Sequence, residues 1–126
     1  MSVFIWMARQ GADREELRSF VTDGYYDLDF TLDGIRDSYT FDVTCQGSVP
    51  QAFEAFFESV DFEDAVRNAV SIGGDSDTIA AIAGGLAEAF YGVPARLREQ
   101  AVPFLFDYQN DILEAFEARY GIKTEG

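Results

Sequence analysis

Two aspartates and a threonine stand closest to chemistry in this sequence: Asp75 and Asp77, followed at once by Thr78, in the stretch Gly73-Gly74-Asp75-Ser76-Asp77-Thr78. Carboxylates spaced this way, in a turn that glycine makes sharp, converge on one hard cation, and the Thr78 hydroxyl adds a third oxygen. Mg²⁺, Mn²⁺ and Ca²⁺ are the candidates for an all-oxygen donor set. The other reading is that Asp75 and Asp77 cap the helix that follows and meet its positive end, an interaction worth about 1 kcal/mol. Capping accounts for one aspartate readily and for two poorly. Two like charges at the buried mouth of a core helix would raise a carboxylate pKa or strain the fold unless a cation neutralised them. On the residues alone both readings stay open.

Composition narrows what else the chain can do. There is no histidine, which removes histidine triads, histidine bases and histidine-ligated zinc and leaves carboxylates, hydroxyls and metal. The formal net charge of −14 would repel nucleic acid and anionic lipid, both of which select clustered Lys and Arg. Neither is expected as a partner. An anionic nucleotide is still accessible through helix N-termini or bound cations. The lone Cys45 has no disulfide partner, which fits a reducing cytoplasm, and reads as a small buried apolar residue. No signal peptide is evident, and the longest small-apolar stretch, Thr78 to Ala87, falls short of the about 20 residues that span a bilayer.

The elements that must position the motif are helical. With 48% hydrophobic residues, 12 of them Phe and 6 Tyr, the 126 residues suit one folded domain. Residues 1–9 read as the tail of a helix ending at Gly11. Asp13 with Glu16 makes a capping box for a short helix with Leu17, Phe20 and Val21 inward, stopped by Gly24. Residues 25–45 alternate aromatic and acidic side chains and read as a long ordered loop with short helical turns. Ser48 and Gln51 form a second capping box, with Pro50 in the first turn and Phe53, Phe56 and Phe57 packing inward. Asp61 caps a helix over 62–71 whose inner face is Phe62, Ala65, Val66, Ala69 and Val70.

The stretch from Thr78 to Tyr91 is apolar or small on every side until Glu88, so it predicts a central helix in which Gly84 and Gly85 admit close neighbours. Gly92 closes it and Pro94 starts the next helix. A final amphipathic helix runs to Gly121 through Ile112, Leu113, Phe116 and Tyr120, with Pro103 either kinking it or starting it afresh. No strand pattern of comparable strength occurs, and the fold class is all-α.

The run from Gly73 through Gly84, followed by Ala87-Glu88-Ala89-Phe90-Tyr91-Gly92-Val93-Pro94, is similar to the C-terminal signature of the ADP-ribosylglycohydrolase family. Tyr25 to Leu32 and Phe41 to Ala52 also resemble bacterial members, so the resemblance covers nearly the whole chain. It implies an orthogonal helical domain over residues 1–126 with two Mg²⁺ or Mn²⁺ ions in a cleft, hydrolysing the bond between the distal ribose of ADP-ribose and a protein side chain or small acceptor. Carried over by position, Asp75, Asp77 and Thr78 match the family's C-terminal metal ligands, and Gly74 and Ser76 beside them fall on the substrate side. Gly47 and Ser48 resemble the part that lines the nucleotide cleft, where free N–H groups of a helix start would meet ribose or phosphate. Ser48 as a plain N-cap accounts for the same residue. Asp27, Asp29 and Asp33 lack the glycine of a calcium loop and read as solvated or structural.

Family members also carry an N-terminal segment with a Thr-Asp-Asp-Thr type motif that completes the metal site, together with an acidic residue that handles the proton. This sequence contains neither, and no catalytic residue is assigned within it. The expectation is therefore a C-terminal portion that is inactive alone, that complements a separate N-terminal half, or that serves as an ADP-ribose-binding or assembly module. Each predicts an exposed apolar patch covered by a partner or, through self-association into a homo-oligomer, by a second copy.

Overall fold

A computed structural model of the protein describes residues 1–40 and 44–122. Among these the chain forms eight α-helices and no strand, which agrees with the all-α expectation. The helices are α1 (Ser2–Arg9), α2 (Arg14–Thr22), α3 (Leu32–Ile35), α4 (Cys45–Phe57), α5 (Phe62–Ser71), α6 (Ser76–Tyr91), α7 (Ala95–Ala101) and α8 (Asp107–Tyr120). α6 lies at the centre and is packed by α5, α4 and α1, while α2 rests on α1 and α3 on α4.

Local chemistry sets most of the boundaries. Asp13 accepts from the Glu16 N–H at 2.9 Å and Asp61 from the Asp64 N–H at 2.7 Å, so both expected caps form. Gly92 ends α6 at φ +83°, a conformation that L side chains rarely adopt. Pro94 precedes α7, and Pro103 falls in a 3₁₀ turn, Val102–Phe104, after which Leu105 is extended and α8 begins anew. Where a long loop was expected, Tyr26, Leu28, Phe30 and Leu32 turn inward while Asp27, Asp29 and Asp33 stay exposed. The three aspartates are thus solvated.

Two apolar clusters build the interior. The larger gathers Phe4, Leu17, Val21, Phe53, Phe56, Phe57 and Leu86. Phe4 and Phe56 meet edge to face at 5.9 Å, and Phe56 meets Phe90 the same way at 5.5 Å. Arg14 closes this cluster. Its guanidinium donates to the Phe57 and Ser59 carbonyls at 3.1 and 2.7 Å and to the Tyr91 hydroxyl at 2.6 Å, and it lies over the Phe56, Phe90 and Tyr91 rings. One charged side chain therefore ties α2 to the ends of α4 and α6. The smaller cluster, Leu32, Ala52, Ala55, Ala69, Ile72, Ile79 and Ala83, lies at the junction of α5 with α6, where the aspartate motif sits.

Several expectations are corrected. Cys45 is exposed, because it occupies the first turn of α4 on the solvent side. Val70 is 52% exposed; the buried positions of α5 are Ala65 and Ala69, and Ile72 just beyond continues the face. A Cβ on Gly84 would make only ordinary contact with Val66 and one on Gly85 would meet nothing within 4 Å, so neither glycine is required by close approach. α6 keeps an open stripe at Asp77, Ala81 and Gly85. The final helix buries no residue: Ile112, Phe116 and Tyr120 are exposed, as are Trp6, Phe104, Phe106 and Tyr108. No helix among the described residues is long and apolar enough to cross a membrane.

Glu54 is the deeply buried acid, at 3% exposure. Burial pushes its carboxyl above the ordinary glutamate value of 4.5, with neighbouring Glu58 adding to the rise, while the Arg18 guanidinium pulls the other way. Arg18 Nη2 stands 3.0 Å from Oε1 as an ion pair, although Oε1 has no well-formed hydrogen bond. The folded state thus binds more protons than the unfolded chain above about pH 4.5. This contribution to stability is fully present below that pH and is lost as pH rises through the folded value. Glu54→Gln is expected to remove that loss, so its stability relative to wild type should increase between pH 4.5 and 7 in urea unfolding. A relative stability that falls over the same range would show that the Arg18 pairing outweighs burial.

Candidate metal turn

Gly73 and Gly74, at φ +77° and +68°, reverse the chain between α5 and α6 and deliver Asp75 to the N-cap position of α6. Ile79, fully buried in the smaller cluster, fixes the first turn of the helix from below, and its N–H bonds the Asp75 carbonyl at 3.0 Å. Asp75 makes no side-chain capping bond. Asp77 Oδ1 accepts from the Thr78 N–H at 2.9 Å. The neighbouring Asp75 side chain, and then the Thr78 N–H, hold the Asp77 carboxyl below the usual aspartate range.

The geometry changes one premise of the sequence reading. The mouth of α6 is open: Asp77 and Thr78 are exposed, and Asp75 and Ser76 are half-buried. Solvent reaches both carboxylates, and the pKa of Asp77 falls instead of rising. With solvent at both groups, burial gives no argument for a cation at this position. What survives is the pairing of two carboxyl groups at the first turn of one helix, with Asp75 making no side-chain capping bond.

The α4 residues are placed differently from expectation. Thr44 is the N-cap, and its Oγ1 accepts from the Gly47 N–H at 3.1 Å, so that N–H is already committed. Ser48 lies inside the helix at 4% exposure and is not a cap. Thr44 prevails because a cap there reaches the third helical residue, and Pro50, which lacks an N–H, is carried within the helix instead of at its start.

Tyr39, which the sequence reading did not single out, connects the two regions. Its hydroxyl donates to the Gly47 carbonyl, and its ring lies where a Cβ on Gly74 would be. Gly47 and Gly74 are therefore brought to the same side chain. On the α4 side an open groove of about 430 Å³ is lined by Phe30, Ile35, Tyr39, Gln46, Gly47 and Gln51. Gln51 Oε1 is buried there with no hydrogen-bond partner.

As donors, Asp75, Asp77 and Thr78 suit a hard cation that prefers oxygen, and they supply at most half of an octahedral set. Among the described residues no group of three or more His, Cys, Asp or Glu gathers at one place.

An all-helical chain with paired aspartates opening its central helix defines a class, and the comparisons place it. The family model for ADP-ribosylglycohydrolases matches residues 6–121, and the chain belongs to this family. A protein of Archaeoglobus fulgidus, described as uncharacterized, is 34% identical over 74 residues, which cover 58% of this chain and 23% of that protein. The match thus spans less than a quarter of that relative's length. No solved structure matches the chain.

Proposed function

We propose that this chain supplies the C-terminal part of a metal-dependent hydrolase site that cleaves the ribosyl bond of an ADP-ribosylated protein or small molecule. Asp75, Asp77 and Thr78 would hold Mg²⁺ or Mn²⁺. The observation that supports this reading best is that Asp75 and Asp77 both stand at the opening turn of α6, with Asp75 making no capping bond. When bound, the cation supplies Lewis-acid stabilisation of developing charge. In a chain of net charge −14, a cation at this turn also offsets the repulsion that an anionic pyrophosphate would meet.

The test is a Mn²⁺ and Mg²⁺ titration of the purified chain by calorimetry, with and without ADP-ribose. Saturable binding that tightens when ADP-ribose is present is expected. Absence of binding under both conditions would overturn the reading and favour a module whose aspartates no longer bind metal. Release of ADP-ribose from a modified peptide then separates a hydrolase from a binder.

Self-association belongs to the same proposal, since Trp6, Phe116, Tyr120 and Ile122 leave a broad apolar face in solvent. Light scattering should show a dimer or larger species; a monomer across micromolar concentrations would remove this part.

A further inference from the structure

We infer that Tyr39 is a positioning residue that holds the metal turn against the start of α4, an inference that rests on the metal reading above. The turn has little to fix it from within. It contains two consecutive glycines in the left-handed region, the least restrained backbone available, and it enters α6 through Asp75, which makes no side-chain capping bond. Tyr39 supplies the restraint from outside. Its ring occupies the space a side chain at Gly74 would fill, so the turn cannot shift toward α3 without displacing the ring.

The ring itself is anchored at both ends. Its apolar body packs against the cluster containing Leu32, Ile72 and Ile79, and its hydroxyl donates to the Gly47 carbonyl on α4. The same ring forms a wall of the groove that contains Gln46, Gly47 and Gln51. One side chain therefore borders both the groove and the glycine turn that leads into Asp75. Groups that hold ligands from behind act on affinity by limiting the ligands' freedom.

The experiment measures Mn²⁺ affinity by calorimetry and electron paramagnetic resonance for the wild-type chain, Tyr39→Phe and Tyr39→Leu, at a temperature where circular dichroism shows each one folded. Tyr39→Leu loses both contacts and is expected to bind Mn²⁺ about tenfold more weakly or worse. Tyr39→Phe keeps the ring and loses the tether to Gly47, and is expected to weaken binding about threefold, the value of one hydrogen bond. Thermal unfolding in chelator should place Tyr39→Phe near wild type, so that an affinity loss is not a loss of fold. Wild-type affinity in both variants would overturn the inference while leaving the metal reading intact. If Tyr39→Leu does not fold, Tyr39→Phe decides alone, and unchanged affinity there overturns it. Failure of the wild-type chain to bind Mn²⁺ would overturn the metal reading and this inference together.

Discussion

Asp77→Ala is expected to abolish Mn²⁺ binding while leaving the melting temperature of the metal-free protein where it was. The two halves of this expectation have separate physical grounds. Asp77 is exposed, and its carboxylate accepts from the N–H of the adjacent Thr78, so its removal leaves no buried group unsatisfied. For a cation the position matters far more. With at most three protein oxygens on the turn, loss of one of two carboxylates takes away half of the formal negative charge that binds it. Calorimetry reads the first half and thermal unfolding in chelator the second. Residual binding within about threefold of wild type, less than one hydrogen bond to a charged group is worth, would mean that the cation sits elsewhere.

Phe56→Ala is expected to give the largest loss of stability, about 3–5 kcal/mol. Phe56 is fully buried and is shared by the rings of Phe4, Phe57, Phe90 and Tyr91, so four neighbours would line the resulting cavity. Arg14 would lose one of the aromatic faces over which its guanidinium lies, and the staple between α2 and the ends of α4 and α6 would loosen with it. For a domain of this size the melting temperature should fall by about 10–20 °C. Urea unfolding that shows less than about 1.5 kcal/mol would indicate that the ring cluster collapses to fill the gap.

The parts of this fold that were legible in the sequence are those governed by short-range chemistry. The caps at Asp13 and Asp61 need only a carboxylate and an N–H three residues on, and both form. Phe53, Phe56 and Phe57 are inward because a three-ring face has few other places to go. At Ser48 two capping signals competed four residues apart, and local pattern offers no means of ranking Thr44 above it. Ile112, Phe116 and Tyr120 show a helical period, but periodicity says nothing about whether a surface exists to receive them. In the candidate site, the aspartates and glycines were visible because spacing along the chain brings them together. Tyr39 was not, because its contacts to Gly74 and Gly47 depend on how α3 lies against α4, which no spacing encodes.

The last two helices carry a consequence for motion. α7 and α8 bury no residue, and their attachments include the ion pair of Arg98 with Glu117 and the placement of Arg9 over Phe116. Segments held by partly exposed charges and shallow contacts open at little free-energy cost, independently of the core. Amide hydrogens of residues 95–120 should therefore exchange with solvent well before those of α4 and α6, and faster still as salt screens the ion pairs. Cooperative unfolding is then expected to belong to the bundle around α6, with α7 and α8 opening at lower cost.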